Sequence, residues 1–265
     1  ISVRMKKYVS STRWLNVFFA AVILSALVYA TNVAVAEVHP GNIWGLSYGT
    51  AAAVLFFGAA LYGLRRRSMK FSARMNLGKA QTWVQFHLYG GVMFLLMTLM
   101  HTGFQLPHGA LNWLLWGLSI WVTLSGLLGV LLQRWIAGAL SSGLEIEVIY
   151  ERIPELAGEL NSRAEAIVAN APESLKRFYT RELAHKFKAP GRSLRFFIDI
   201  SGGAHPMARS FEHLRRAVSG ENAETALELE SLYRAKLALD AHYSLQSALR
   251  AWMYLHLPIS IALTL

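Results

Sequence analysis

The sequence predicts an all-α membrane protein: a transmembrane helix bundle of at least five spans with a cytoplasmic helical insert. Two observations predict this class. Of the 265 residues, 54% are hydrophobic and the mean hydropathy is +0.33, which is too apolar for one soluble domain of this size. The apolar residues are also gathered into runs of about 20, the length that a helix needs to cross a bilayer core about 30 Å thick.

Four apolar runs are long enough to span, and they cover about residues 14–34, 43–64, 81–102 and 111–133. A fifth begins near Ala251 and is still apolar at Leu265. Because this last run is too short to cross a bilayer, we expect the helix to continue beyond it.

The polar stretch between the fourth and fifth runs divides the chain into three parts. Spans one to four occupy residues 1–139, the insert occupies 140–248, and the start of a fifth span occupies 249–265. From Glu221 the chain has no proline or glycine until Pro258, which predicts one long helix that rises from the insert into the fifth span. Residues 194–200 could form a short strand.

The distribution of basic residues predicts the orientation. The loops 35–42 and 103–110 contain no lysine or arginine, so we expect them outside the cytoplasm. The N-terminal tail and the loop between spans two and three are basic and are expected to be cytoplasmic, together with the insert. These two segments carry Arg4, Lys6, Lys7 and Arg13, and Arg65, Arg66, Arg67, Lys70, Arg74 and Lys79. Nucleic-acid binding explains the net charge of +10 poorly, because much of the charge flanks apolar runs.

The 265 residues contain no cysteine. Disulfides, iron–sulfur clusters, thiolate zinc sites and covalently attached haem are therefore excluded within this stretch. A metal would have to be held by histidine, methionine or carboxylate side chains.

Two histidines of the third span have the spacing of a ligand pair. His87 and His101 are fourteen residues apart, which on an α-helix returns to within about 40° of the same face after about 21 Å. One imidazole then lies near each edge of the bilayer. Because a histidine inside a span is costly, it indicates a functional site, and neutral imidazole is a ligand of haem iron.

The fifth span must supply the partners, and two registers compete. In the first, His242 pairs with His87 and His256 with His101, but Arg250 would then lie in the middle of the membrane, at a cost of at least about 2.5–3.5 kcal/mol. In the second, His256 pairs with His87 on an inner haem, and the partner of His101 on an outer haem lies beyond the last residue. We favour the second register. The alternative for each histidine is an ordinary hydrogen-bonded packing role.

Three further residues are predicted to contact the cofactor. Gly90 and Gly91 lie one turn after His87 and would let a flat porphyrin approach the backbone, although glycine also serves close helix packing in membranes. Arg250 could pair with a haem propionate, or it could simply anchor the helix at the membrane surface.

Several short motifs resemble one family. Leu77-Gly-Lys-Ala-Gln-Thr-Trp83, followed by His87-Leu-Tyr-Gly90 and His101, resembles the third span of bacterial di-haem b-type cytochromes of the ferric-reductase-like transmembrane group. Trp252-Met-Tyr-Leu-His256-Leu-Pro258 resembles the start of their fifth span, and Ser125-Gly-Leu-Leu-Gly129 fits their fourth. The insert is not part of their common core, and no flavin or nicotinamide fingerprint is present.

The resemblance implies a transmembrane cytochrome b in a bacterial inner membrane. It would carry electrons across the membrane through two b haems, as an electron-transfer subunit of a larger respiratory complex without catalytic side chains of its own. Quinol or quinone is the expected small molecule, and a periplasmic multihaem cytochrome c or iron–sulfur subunit is the expected protein partner. Two alternatives remain: the membrane domain of a flavin-fed ferric or oxygen reductase, and a non-redox membrane anchor or sensor whose insert is the working part.

Overall fold

The computed structural model describes residues 12–67, 78–143, 149–199, 204–218 and 221–264. Every regular element in these ranges is helical, and none of the described residues forms a strand. The prediction of an all-α membrane bundle is therefore confirmed. The basic residues Arg4, Lys6, Lys7, Lys70 and Arg74, and Leu77 of the first family motif, lie outside the described residues.

Four helices are long and apolar enough to cross a membrane, as predicted. Their bounds are α1 Thr12–Val35, α2 Ile43–Arg67, α3 Ala80–His101 and α4 Ala110–Gly143. Helix α4 continues about ten residues past the predicted end of the fourth span. No proline interrupts it, and alanine and leucine after Trp135 favour the helical conformation.

The remaining elements are shorter, except for the last. A 3₁₀ turn at Tyr150–Arg152 precedes α5 Ile153–Ala169, and α6 Glu173–Phe178 continues through a π-helical segment, Tyr179–Leu183, into α7 Ala184–Phe187. A 3₁₀ turn at Leu194–Phe197, α8 Ala204–Ala217 and α9 Glu221–Ala262 complete the order. Helix α9 confirms the predicted long helix, and it contains Pro258.

The possible strand at 194–200 is wrong for the residues that the structure describes. The Ser193 hydroxyl accepts a hydrogen bond from the Arg195 amide and so caps the 3₁₀ turn. Phe196 is buried, and no described segment offers a strand with which this one could pair. A strand without a partner leaves its backbone groups unbonded, so the local turn forms instead.

The chain divides into two compact units. Unit one contains Ile1–Arg134 and Trp252–Leu265, and unit two contains Trp135–Ala251. Helices α4 and α9 each contribute residues to both.

The core of unit one is the packing of α2 against α3. Its buried apolar residues are Val38, Tyr48, Ala52, Phe56, Met93, Phe94, Met97 and Met100. Large apolar side chains such as Leu24, Leu27, Leu124 and Leu131 are exposed on α1 and α4. Such surfaces are stable in contact with lipid, because acyl chains are as apolar as leucine side chains.

Unit two has a conventional hydrophobic core and one buried ion pair. The core is formed by all the helices from α5 through α9. Its buried side chains include Leu175, Leu183, Phe187, Phe211 and Leu229. Beside this core, Lys236 is only 1% exposed, and its ammonium donates to Asp240 Oδ1 at 2.6 Å and to the Ala189 carbonyl at 3.0 Å.

The same carboxylate holds the turn that precedes the 3₁₀ segment. The Gly191 amide donates to Asp240 Oδ1 at 2.7 Å, and the Ser193 amide donates to the Ser244 hydroxyl at 3.1 Å. The side chains of Lys236, Asp240 and Ser244 therefore tie the loop 189–193 to three successive turns of α9. Burial raises the pKa of the Asp240 carboxyl, and the hydrogen bond from Lys236 opposes that rise.

Replacing Lys236 by methionine should destabilise unit two by about 3 kcal/mol, because removing one partner of a buried pair leaves the other charge uncompensated. Folding raises the pKa of Asp240, so the stability that its neutral carboxyl contributes is complete at low pH and is lost as the pH rises through the folded pKa. In the variant, the carboxyl that has lost Lys236 can be protonated in acid, and no uncompensated charge then remains. The loss of stability in the Lys236→Met variant should therefore be smallest in acid. Thermal unfolding followed by circular dichroism between pH 4 and 8 measures it. The exposed Lys188→Met is the matched control, and equal melting of the two variants would contradict the assignment.

Candidate functional site

The two histidines of α3 are anchored in the same way on α2. His87 Nδ1 lies 2.9 Å from the carbonyl oxygen of Ala59, and His101 Nδ1 lies 2.8 Å from that of Gly45. Ala59 and Gly45 are fourteen residues apart, as His87 and His101 are. The antiparallel pairing of α2 with α3 thus repeats one contact at two levels, about 21 Å apart along the helices.

These contacts fix the tautomer of both rings when they are neutral. A carbonyl oxygen only accepts, so the proton must be on Nδ1, and a neutral imidazole then carries its lone pair on Nε2. A helical carbonyl has a second lone pair for this bond besides the one used within the helix. No hydrogen bond to Nε2 of either histidine is found among the described residues. Both rings therefore have the tautomer that binds a metal through Nε2.

The histidine of the fifth apolar run is held by a serine instead of a carbonyl. His256 Nδ1 lies 2.8 Å from the Ser125 hydroxyl oxygen of α4, which also lies 3.1 Å from the Val122 carbonyl oxygen. The single hydroxyl proton can be donated to either neighbour, so this contact orients the His256 ring without fixing its tautomer.

Trp252 locks His256 onto α4. Its indole Nε1 donates to the Ser125 carbonyl at 2.7 Å, and its ring stacks on the His256 imidazole with centroids 5.3 Å apart. Gly129 makes this possible, since a Cβ there would lie 1.9 Å from the indole. Gly126 lies beside the histidine ring, where a Cβ would stand 3.6 Å from Cε1. Ser125 and these two glycines therefore form the surface of α4 on which residues 252–256 pack.

His87 and His256 belong to unit one. His242 lies in unit two, where it is buried and its Nδ1 is 3.3 Å from the Gln246 side-chain nitrogen. The pairing of His87 with His256 on one haem stays a prediction.

The predicted glycines differ in their surroundings. Gly90 is buried, and a Cβ added to it would stand 3.7 Å from the Phe86 ring, which is an ordinary packing distance. Nothing lies within 4 Å of the Cβ position of Gly91. Gly91 thus opens a space on α3 one turn after His87, whereas Gly90 serves packing.

Arg250 is engaged within unit two. Its guanidinium hydrogen-bonds to the Glu151 carboxylate and lies 3.9 Å from the centre of the Tyr150 ring. The pKa of Glu151 is lowered, first by a hydrogen bond from its own backbone and then by Arg250. A contact between Arg250 and a propionate stays a prediction, and it would have to share the guanidinium with Glu151.

The other described histidines do not form a cluster. His39, His108, His185 and His213 are exposed, and among the residues that the structure describes no three or more histidine, aspartate or glutamate side chains form a metal-binding group. Haem ligation by single histidines or histidine pairs stays a prediction, because an iron held in a porphyrin needs only one or two protein ligands.

Sequence reasoning missed the residues that orient the histidines. Ser125 was noticed only within a family motif, and Gly45, Gly49 and Ala59 were not singled out. Small residues recur on α2 at 45, 49, 52, 59 and 63, a pattern of close helix packing. Residues 45 and 59 have the same spacing as residues 87 and 101, and this equal spacing is the sequence pattern that indicates the two contacts.

The comparisons with known proteins identify no relative: no family model, no curated protein and no solved structure matches this chain.

Replacing Gly49 by alanine should disturb the site of His101 selectively. The new Cβ would lie 2.8 Å from His101 Nδ1, so the ring must leave the Gly45 carbonyl. Where His101 holds the predicted outer haem, losing such a supporting contact typically costs about 10- to 100-fold in affinity. The haem-to-protein ratio of the purified variant measures this effect. Gly63→Ala is the matched control on the same helix, because nothing lies within 4 Å of its Cβ position; equal ratios in the two variants would refute the contact.

Proposed function

We propose that this membrane protein is a cytochrome b that carries electrons across the bilayer through two b haems. The observation that supports it is the common orientation of three histidines in the apolar runs. His87, His101 and His256 each have Nδ1 hydrogen-bonded to a group of a neighbouring helix, which leaves Nε2 for a ligand. A packing histidine needs no such uniformity, whereas haem ligands are oriented in this way by their supporting hydrogen bonds.

The proposal assigns His87 and His256 to an inner haem, and His101 to an outer haem whose second ligand it leaves unassigned. Bound haem would supply the one-electron chemistry of its iron. The α2 carbonyls and the Ser125 hydroxyl hold the ring orientations and make Nε2 a stronger donor. Gly91 leaves room beside the inner ligand, and the apolar faces of the spans exclude water.

The proposal also covers the setting of the protein. The basic loops support an orientation with the N-terminus and unit two on the cytoplasmic side of a bacterial inner membrane. Quinol or quinone is the proposed small-molecule partner. A periplasmic multihaem cytochrome c or an iron–sulfur subunit is the proposed protein partner, within a larger respiratory complex.

Reduced-minus-oxidised spectra of the purified protein test the ligand assignment. Wild type should show a b-type α-band. His87→Ala and His256→Ala should each lose about half of it, and the double variant should lose no more, because both residues hold one haem. His87→Ala combined with His101→Ala should lose nearly all of it. His213→Ala, an exposed histidine of unit two, is the control. Wild-type protein without haem would overturn the proposed function, and additive losses in the first double variant would overturn the pairing.

Ser125→Ala should weaken the binding of the inner haem without abolishing it, since His256 is still present but loses the hydrogen-bond partner of its Nδ1. We expect haem to transfer to excess apomyoglobin about 10- to 100-fold more readily, the usual cost of losing an outer-shell partner. Ser119→Ala is the matched control on the same helix, because the Ser119 hydroxyl bonds only to the Leu115 carbonyl. Unchanged transfer in Ser125→Ala would show that the serine does not position the ligand.

A further inference from the structure

The 3₁₀ turn of unit two exposes two large apolar side chains. Leu194 is 83% exposed and Ile198 is 95% exposed, whereas Phe196 between them is 4% exposed. The segment 194–198 therefore has one face in the protein and one apolar face outside it. Two neighbouring side chains of this size are costly to leave in water.

The inner face of this segment packs on the end of the fourth span. Phe197 stacks on Trp135 with ring centroids 5.4 Å apart and planes 9° from parallel. It also joins the cluster of Ile136, Ala139 and Leu140 on the same helix. These contacts fix the segment beside residues 135–140 of α4.

The length of α4 sets the level of those residues in the bilayer. Its membrane-compatible stretch, Ala110–Leu140, is 31 residues long and therefore measures about 47 Å at 1.5 Å per residue. The hydrocarbon core is about 30 Å thick, and the bilayer with its headgroups about 40–45 Å. The last turns of this stretch thus pass through the headgroup layer, where Trp135 is a typical residue.

The charges around the segment suit a lipid surface. Arg192 and Arg195 are exposed beside the two apolar side chains, and Asp199 is the acidic residue that follows them. Arg192 is partly engaged, since its guanidinium lies over the Tyr243 ring at 5.0 Å. Basic residues beside inserted apolar side chains are attracted to anionic headgroups.

We propose that the segment 194–198 is a membrane anchor of unit two. Leu194 and Ile198 enter the boundary between headgroups and acyl chains next to the end of α4, and Arg195 lies at headgroup level. The anchor does not depend on haem. It is a contact between unit two and the bilayer in addition to helices α4 and α9.

Nitroxide labelling of the full chain in nanodiscs of phosphatidylcholine and phosphatidylglycerol tests the anchor. The 265 residues contain no cysteine, so Leu194→Cys and Ile198→Cys each give one labelling site, and their exposure means that no core contact is lost. Power saturation compares collisions with oxygen, which concentrates in lipid, and with a water-soluble nickel chelate. Leu131→Cys on α4 is the lipid-facing control, and Arg181→Cys in unit two is the water-facing control; both side chains are exposed.

Labels at 194 and 198 should favour oxygen over the nickel chelate by a ratio nearer that of residue 131 than that of residue 181. A ratio equal to that of residue 181 would place the segment in water and overturn the proposal. Low collision rates with both reagents would show that protein, and not lipid, covers the segment, and would also overturn it.

Discussion

The first unit is organised by the need of each intramembrane imidazole for a hydrogen-bond acceptor. An unsatisfied polar group in a bilayer core costs several kcal/mol, and α2 removes that cost twice by offering the carbonyls of Ala59 and Gly45 to His87 and His101. Because these bonds engage Nδ1, they also decide which nitrogen stays available. The interaction that makes the histidines tolerable in the membrane is therefore the one that makes them potential ligands.

This interaction constrains the helix that provides it. Gly49 must lack a side chain for the His101 ring to reach the Gly45 carbonyl, and Ala59 is buried where α2 meets α3. His256 has a different partner, since its Nδ1 is hydrogen-bonded to the Ser125 hydroxyl and the absence of a side chain at Gly129 leaves room for the neighbouring Trp252. In membranes such small residues let helices approach closely enough for polar contacts to form.

In unit two, the buried polar groups include an ion pair. Lys236 and Asp240 are paired inside the unit and also bond to the backbone of the loop 189–193. That loop leads directly into the turn that exposes Leu194 and Ile198 and packs Phe197 on Trp135. The buried pair thus fixes the loop that presents the proposed anchor, which relates a polar network in the interior to an apolar surface near the membrane.

The sequence by itself determined the helical class, the four spans and the long last helix, because span length, hydropathy and the absence of proline or glycine are local properties of the chain. It also placed His87 and His101 on one helix face, since helical periodicity is local too. Only the tertiary structure decided that His256 belongs to the unit of His87 while His242 belongs to unit two, that Leu194–Phe197 is a turn, and that Ser125 and two backbone carbonyls orient the imidazoles. Those outcomes depend on how α2, α3, α4 and α9 pack. Every residue has a backbone carbonyl, so the sequence does not show which carbonyl accepts a hydrogen bond from a histidine. That depends on which helix packs within hydrogen-bond distance of the ring.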